Sequence, residues 1–261
     1  MISKIVASDN LLIDLKKGVT PFGDIKAFIK PGERVFIKPN FNTSDPFPAS
    51  TDMEFIKAVI SLINTEKPGE IILGDSPTFF GNSRKYFNEK NPWLLEKEFI
   101  NLRVIYLNDE KWVKKTIIKG KFLKQASLSR IINEVDKVIY LPCLKTHSWA
   151  QYTGALKLSV GILKPIERIA LHGHHLQEKV AELNCLIKPD LIIMDARKCF
   201  ITKGPTVGEV RAPGLILVSP NRVEVDIAGI NIIKSFAGND LEDVDPLTMP
   251  QIKRAIELGI R

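Results

Sequence analysis

The sequence predicts an α/β protein with a mainly parallel, open twisted sheet, helices on both faces and a C-terminal hairpin excursion. Two observations carry this. Short apolar runs alternate with longer amphipathic ones, the pattern of strands joined by crossover helices. Polar motifs follow immediately on the apolar runs, where a parallel sheet collects its ligand-binding edge. The 261 residues suit one domain, 1–261, with a variable excursion at 79–126; there is no repeat, no low-complexity tract and no linker.

Residues 34–38 (RVFIK) form the first clear strand, and 52–64 have helical spacing with Thr51 or Asp52 as cap. A strand follows at 70–74. Residues 82–98 are charged and aromatic around Asn91-Pro92, so helix in pieces is expected there, before a strand at 103–107. Residues 111–121 read as an edge strand, 128–135 as a short helix, 137–141 as a strand, and 154–163 and 172–186 as helices. A strand at 190–194 precedes two more at 198–202 and 214–219. The Gly/Pro-rich GPTVGEVRAPG joins these two into a hairpin with a long tip. Helices at 223–236 and 247–258 close the chain.

Lysine plus arginine exceed aspartate plus glutamate, 37 against 30, for a net charge of +7. No nucleic-acid motif or aromatic-basic interleaving accompanies the excess, so a small phosphate or carboxylate is the expected partner and nucleic acid is not. The amino-terminal stretch has charges interrupting every apolar run, and no segment approaches the ~18 apolar residues of a membrane helix. A cytoplasmic protein without membrane partners is expected. Cys143, Cys185 and Cys199 are odd in number and widely spaced, which points to reduced thiols.

Four strand ends carry polar motifs: Lys38-Pro-Asn40, Gly74-Asp75-Ser76, Lys145-Thr146-His147 and Asp195. Their convergence would place Lys38, Asn40, Asp75 and Ser76 around a substrate. All four histidines fall between 147 and 175. Lys145 and His147, two apart, share one side if the strand continues, pairing an ammonium with an imidazole fit for proton transfer. Thr153-Gly154-Ala155-Leu156-Lys157 resembles a helix start at which an anion would meet free N–H groups, with Lys157 against the dipole. Asp195 is a candidate to orient a histidine, and Asp226, an acid among apolar helical neighbours, needs a donor near the site. His172, His174 and His175 are a candidate divalent-metal cluster, with no acid at a diagnostic spacing. Cys143 is reactive only if a lysine neighbour activates it.

In order along the chain, Lys38-Pro-Asn40, Gly74-Asp75-Ser76-Pro77, Leu144-Lys145-Thr146-His147, Thr153 to Lys157 with Gly161, the His172 region, Pro189-Asp190-Leu191 with Asp195, Gly204-Pro205-Thr206 with Gly208, and Val225-Asp226 resemble the DUF362 family. The resemblance implies an α/β domain, sometimes joined in one chain to a ferredoxin-type domain. The cysteine runs of such a domain are absent here, so no built-in iron-sulfur cluster is expected. Two local departures from the family's pattern stand out: Cys143, where lysine is common, and Leu158-Ser159 after Lys157, where asparagine is common. A looser likeness, at the level of fold, is to the lactate racemase type, which uses paired histidines and a nickel cofactor.

Three functions fit these residues. The first is an enzyme in which Lys38, Lys145 and Lys157 hold a small anion, His147 with Asp195 or Asp226 moves protons, and the GPTVGE tip forms a lid. The second is a redox partner docking a separate acidic iron-sulfur protein. The third is a non-catalytic anion carrier or sensor. Substrate, reaction class, cofactor and oligomeric state are not legible.

Overall fold

Side chains that alternate along five central strands build two hydrophobic layers, one on each face of a sheet. In the computed structural model, which describes residues 1–78 and 81–261, these strands are β2 (Arg34–Pro39), β3 (Glu70–Asp75), β4 (Leu102–Tyr106), β7 (Lys137–Leu141) and β10 (Leu191–Phe200). They run parallel in the order β10-β7-β2-β3-β4, and β12 (Leu215–Ser219) and β1 (Ser3–Val6) extend the β10 edge antiparallel. Phe36, Ile72, Tyr140 and Met194 enter one core; their strand neighbours Ile37, Leu73, Ile139 and Ile193 enter the other. This period of two is what a sheet buried on both sides requires.

One face is covered by α1 (Leu11–Val19) and α2 (Met53–Asn64), and Asp52 caps α2 by accepting from the Glu54 N–H. The other is covered by α4 (Ala155–Leu158), α6 (Leu176–Leu183), α7 (Arg222–Lys234) and α8 (Pro250–Glu257). The 82–98 stretch is helical in pieces, as α3 (Ser83–Glu89) and a 3-10 helix at Pro92–Lys97. Phe79 and Phe80, which open the 79–126 excursion, lie outside the described residues.

Several elements differ from the sequence reading. Residues 128–135 are not a helix: β6 (Gln125–Ser129) pairs antiparallel with β5 (Trp112–Thr116), and a 3-10 turn follows at Arg130–Asn133. Leu128 and Ile131 are both buried, so the three-residue apolar spacing arises from a strand end and a turn packing on one core. β5 therefore belongs to a separate ribbon and not to an edge of the main sheet. The two expected strands at 190–194 and 198–202 are one, β10, whose register shifts between Asp195 and Cys199. Its first half forms the hairpin with β12; its second half pairs with β11 (Val210–Arg211) and β8 (Cys143–His147). The helix expected over 172–186 is shorter: α6 begins only after His175, at φ 60°, and a helix the sequence reading did not assign, α5 (Pro165–Leu171), precedes it and ends at His172. A left-handed residue cannot continue a right-handed helix.

Beyond β7, the chain crosses Pro142 and continues as β8, which turns back through β9 (Gln151–Thr153). This small antiparallel pair stands past the carboxyl edge of the main sheet and faces the ends of β2 and β3.

Candidate functional site

A cavity of about 420 Å³ opens where these strand ends meet. β2 supplies Lys38 with Asn40 just beyond it; β3 supplies Asp75 with Ser76; β8 supplies Lys145 and His147. Thr153, Lys157 and His172 complete the predicted residues at its wall. Asp195, Asp226, His174 and His175 do not line it.

The lysines differ in what they touch. Lys38 Nζ lies 2.6 Å from Asp75 Oδ1 and donates to Pro39 O at 2.7 Å. Both side chains are buried, and burial pulls the ammonium below its ordinary pKa while Asp75 opposes. Asp75 is held in turn by the N–H groups of Phe41 and Ser76 at 2.7 and 2.6 Å. Gly161 closes over this pair: a Cβ there would stand 2.6 Å from Lys38 Nζ. The expected 154–163 helix is accordingly split into α4 and a 3-10 turn at Ser159–Ile162. Lys145 donates to Ala49 O, and burial brings its pKa down to about 8. Lys157, half-buried, has no hydrogen bond or ion pair among the described residues. Burial first, then Lys145 and Arg168, bring its pKa down to about 7.

His147 Nδ1 accepts from the N–H groups of Trp149 and Ala150 at 3.1 and 3.2 Å. Two donors on Nδ1 place the proton of the neutral ring on Nε2. Burial, reinforced by Lys157, Lys145 and His172, pushes this imidazole down to about 2, so it is neutral at pH 7. His147 is therefore built as a hydrogen-bond donor through Nε2–H, a different role from the base expected of it. His172 has the opposite arrangement: its Nδ1 donates to Arg168 O at 2.7 Å, leaving Nε2 as the lone-pair nitrogen. Burial and Lys157 lower its pKa as well. Trp149 packs edge-on against it, with ring centroids 5.8 Å apart.

Sequence reasoning passed over Arg168. Its guanidinium is buried against the carbonyls of Leu163, Ser76, Pro77 and Gly161 at 2.8–3.2 Å, and burial lowers it to about 10. The available signal was Pro165 at the start of α5, a favoured first helical residue. Phe41, Tyr86 and Trp149 add aromatic wall, and Pro205 and Thr206 of the hairpin tip reach the cavity. Gly204, at φ 56°, permits that approach, since a Cβ would collide with Thr146 O.

The remaining candidates have structural partners. Asp195 is buried and gripped by Arg197, with Oδ2–Nη2 at 2.7 Å and Oδ1–Nε at 2.9 Å. The same Arg197 reaches Asp52 at 2.6 Å. Asp226 accepts from the N–H groups of Ala155 and Leu156 at 2.6 and 3.0 Å, against burial that raises its pKa to about 7. The α4 amides expected to meet a ligand anion are thus already occupied by a side-chain carboxylate. His174 is exposed, and His175 stacks on Phe122 at 4.3 Å and pairs with Glu178 at 3.3 Å. Among the described residues, no three His, Cys, Asp or Glu side chains converge on a metal position: His172 is engaged by Arg168 O and His175 by Phe122 and Glu178. Burial pushes the Cys143 thiol up to about 11, which outweighs Lys145 and leaves it protonated.

Fold and site together define an α/β protein with a lysine-walled cavity at the carboxyl edge of a parallel sheet. The chain belongs to the family of the domain of unknown function DUF362, whose profile matches residues 35–231. A thylakoid-associated protein of Synechocystis sp. is 27% identical over 266 aligned positions, covering 99% of this chain and 78% of the relative. Two solved structures are similar at 10% identity. One, from Thermotoga maritima, has a TM-score of 0.46 over 70% of this chain. The other is the lactate racemase apoprotein of Thermoanaerobacterium thermosaccharolyticum, with a TM-score of 0.48 over 77%. The chain spans 50% of the length of each. No helix among the described residues is long and apolar enough to cross a membrane.

Proposed function

We propose that the cavity binds a small anion, a carboxylate or phosphate, and supports proton transfer to or from it. The observation that carries this reading is an imbalance of charge. Lys38 is matched by Asp75, whereas Lys145, Lys157 and Arg168 have no carboxylate in ion-pair contact among the described residues. Desolvated cations without counter-charge are costly, and a bound anion removes that cost. Donor arithmetic agrees. Lys145 uses one N–H on Ala49 O, so two are left, and Lys157 has three unspent. His147 Nε2–H supplies a neutral donor, suited to an oxygen that gains charge during reaction. His172 Nε2 is the acceptor nitrogen on the same cavity.

The test is thermal unfolding at pH 7 with inorganic phosphate or pyruvate added. Stabilisation should grow with the logarithm of concentration, reaching about 2.7 kcal/mol at a hundred times the dissociation constant. It should be lost in Lys157→Met. An equal response in wild type and variant, or the same response to chloride, would refute the reading.

A further inference from the structure

We propose that Lys157 is a nucleophile that forms an imine with the carbonyl carbon of a small 2-oxo carboxylate, whose carboxylate is held by Lys145. This rests on the anion-binding reading and names the ligand class that the cavity would take. Three lysines line one cavity, and only one of them has its nitrogen uncommitted among the described residues. Lys38 is tied to Asp75 and Pro39 O, and Lys145 to Ala49 O. Lys157 is tied to nothing among the described residues and is flanked in the wall by Leu158 and Val160. An amine set in apolar surroundings beside a second cation is the arrangement that produces a reactive lysine at neutral pH. The titratable groups coupled to Lys157 are Lys145 and His147 from β8 and Arg168 and His172 from α5 and its end; Asp75 lines the same cavity and is engaged by Lys38. Lys145 and Arg168 are cationic and favour the free amine over the ammonium, while the neutral His147 adds no charge. The pKa of about 7 that burial imposes agrees.

The chemistry balances without a further reactant. The Lys157 nitrogen lone pair attacks the carbonyl carbon and a C–N bond forms. The carbonyl oxygen, which His147 Nε2–H can polarise, collects the two amine protons; the C–O bond breaks and water leaves. Lys145 keeps its charge throughout and holds the carboxylate.

The experiment treats the protein with glyoxylate or pyruvate and sodium cyanoborohydride, which reduces an imine to a stable secondary amine, and maps the modified lysines by peptide mass. At pH 7, Lys157 should be labelled at least ~10-fold faster than the exposed Lys16 and Lys26, because its neutral fraction is far larger. Its rate should level off above pH 7, and phosphate should slow Lys157 alone. Lys157→Arg should lose cavity labelling while the exposed Lys16 and Lys26 keep theirs. Labelling of Lys157 at the rate of Lys16, or preferential labelling of Lys38 or Lys145, would overturn the inference. If phosphate stabilises wild type while Lys157 reacts ordinarily, the imine falls and anion binding stands. If Lys157 reacts rapidly and no anion stabilises the protein, anion binding falls and with it the 2-oxo carboxylate held by Lys145.

Discussion

Lys157 carries a sign that stability measurements can read. Its folded pKa of about 7 lies below the 10.5 of an ordinary lysine, so between those values the unfolded chain holds more protons than the folded one. Stability from this group therefore rises with pH across that window and is lost below pH 7. Lys157→Met removes an unpaired cation and should raise the Tm of the ligand-free protein at pH 6 by about 2–4 °C, the shift that ~1 kcal/mol gives in a chain of this size. The gain should vanish by pH 10, and a lowered Tm at pH 6 would show that Lys157 has a structural partner. A stabilising substitution that abolishes ligand response would mark a group retained for function. At this scale the sequence showed which residue types meet, since Lys145 and His147 stand two apart on one strand. It did not show the tautomer of His147, which depends on the Trp149 and Ala150 amides folding back onto Nδ1. Nor did it show that Asp195 belongs to Arg197 and Asp226 to α4, because each of those contacts joins elements distant in sequence or hidden by a strand irregularity.

Among the elements, the five parallel strands were legible because both faces are buried and the runs are almost wholly apolar. β8 was legible only as a conditional continuation of the strand ending at Leu141, and β9 not at all; β8 is extended because β10 and β9 pair with it on either side. The segment after Thr153 looked like one helix and is two short turns, shaped by the closure of Gly161 over Lys38 and Asp75. Gly161→Ala should therefore destabilise the protein by about 1–3 kcal/mol, the usual cost of forcing extra volume into a packed site. Because the displaced atoms are Lys38 Nζ and Asp75 Oδ1, it should weaken phosphate binding as well. Denaturant unfolding with an unchanged midpoint would show that the 3-10 turn yields freely and does not lock the ion pair.

For the molecule as a whole, the sheet edge gathers segments spread from Lys38 to Thr206 into one cavity, and most of its cations were visible as motifs after strands. The net charge of +7 is in part a local matter, concentrated where Lys145, Lys157 and Arg168 lack acidic partners among the described residues. The measurement that bears most directly on this account is isothermal titration of phosphate and acetate at pH 7 in two buffers of different ionisation enthalpy. Anion binding should raise the Lys157 pKa, so the difference in heat should report uptake of roughly half a proton per chain in wild type and none in Lys157→Met. Absence of saturable binding by either anion, or binding that proceeds equally well in Lys157→Met without proton uptake, would contradict it.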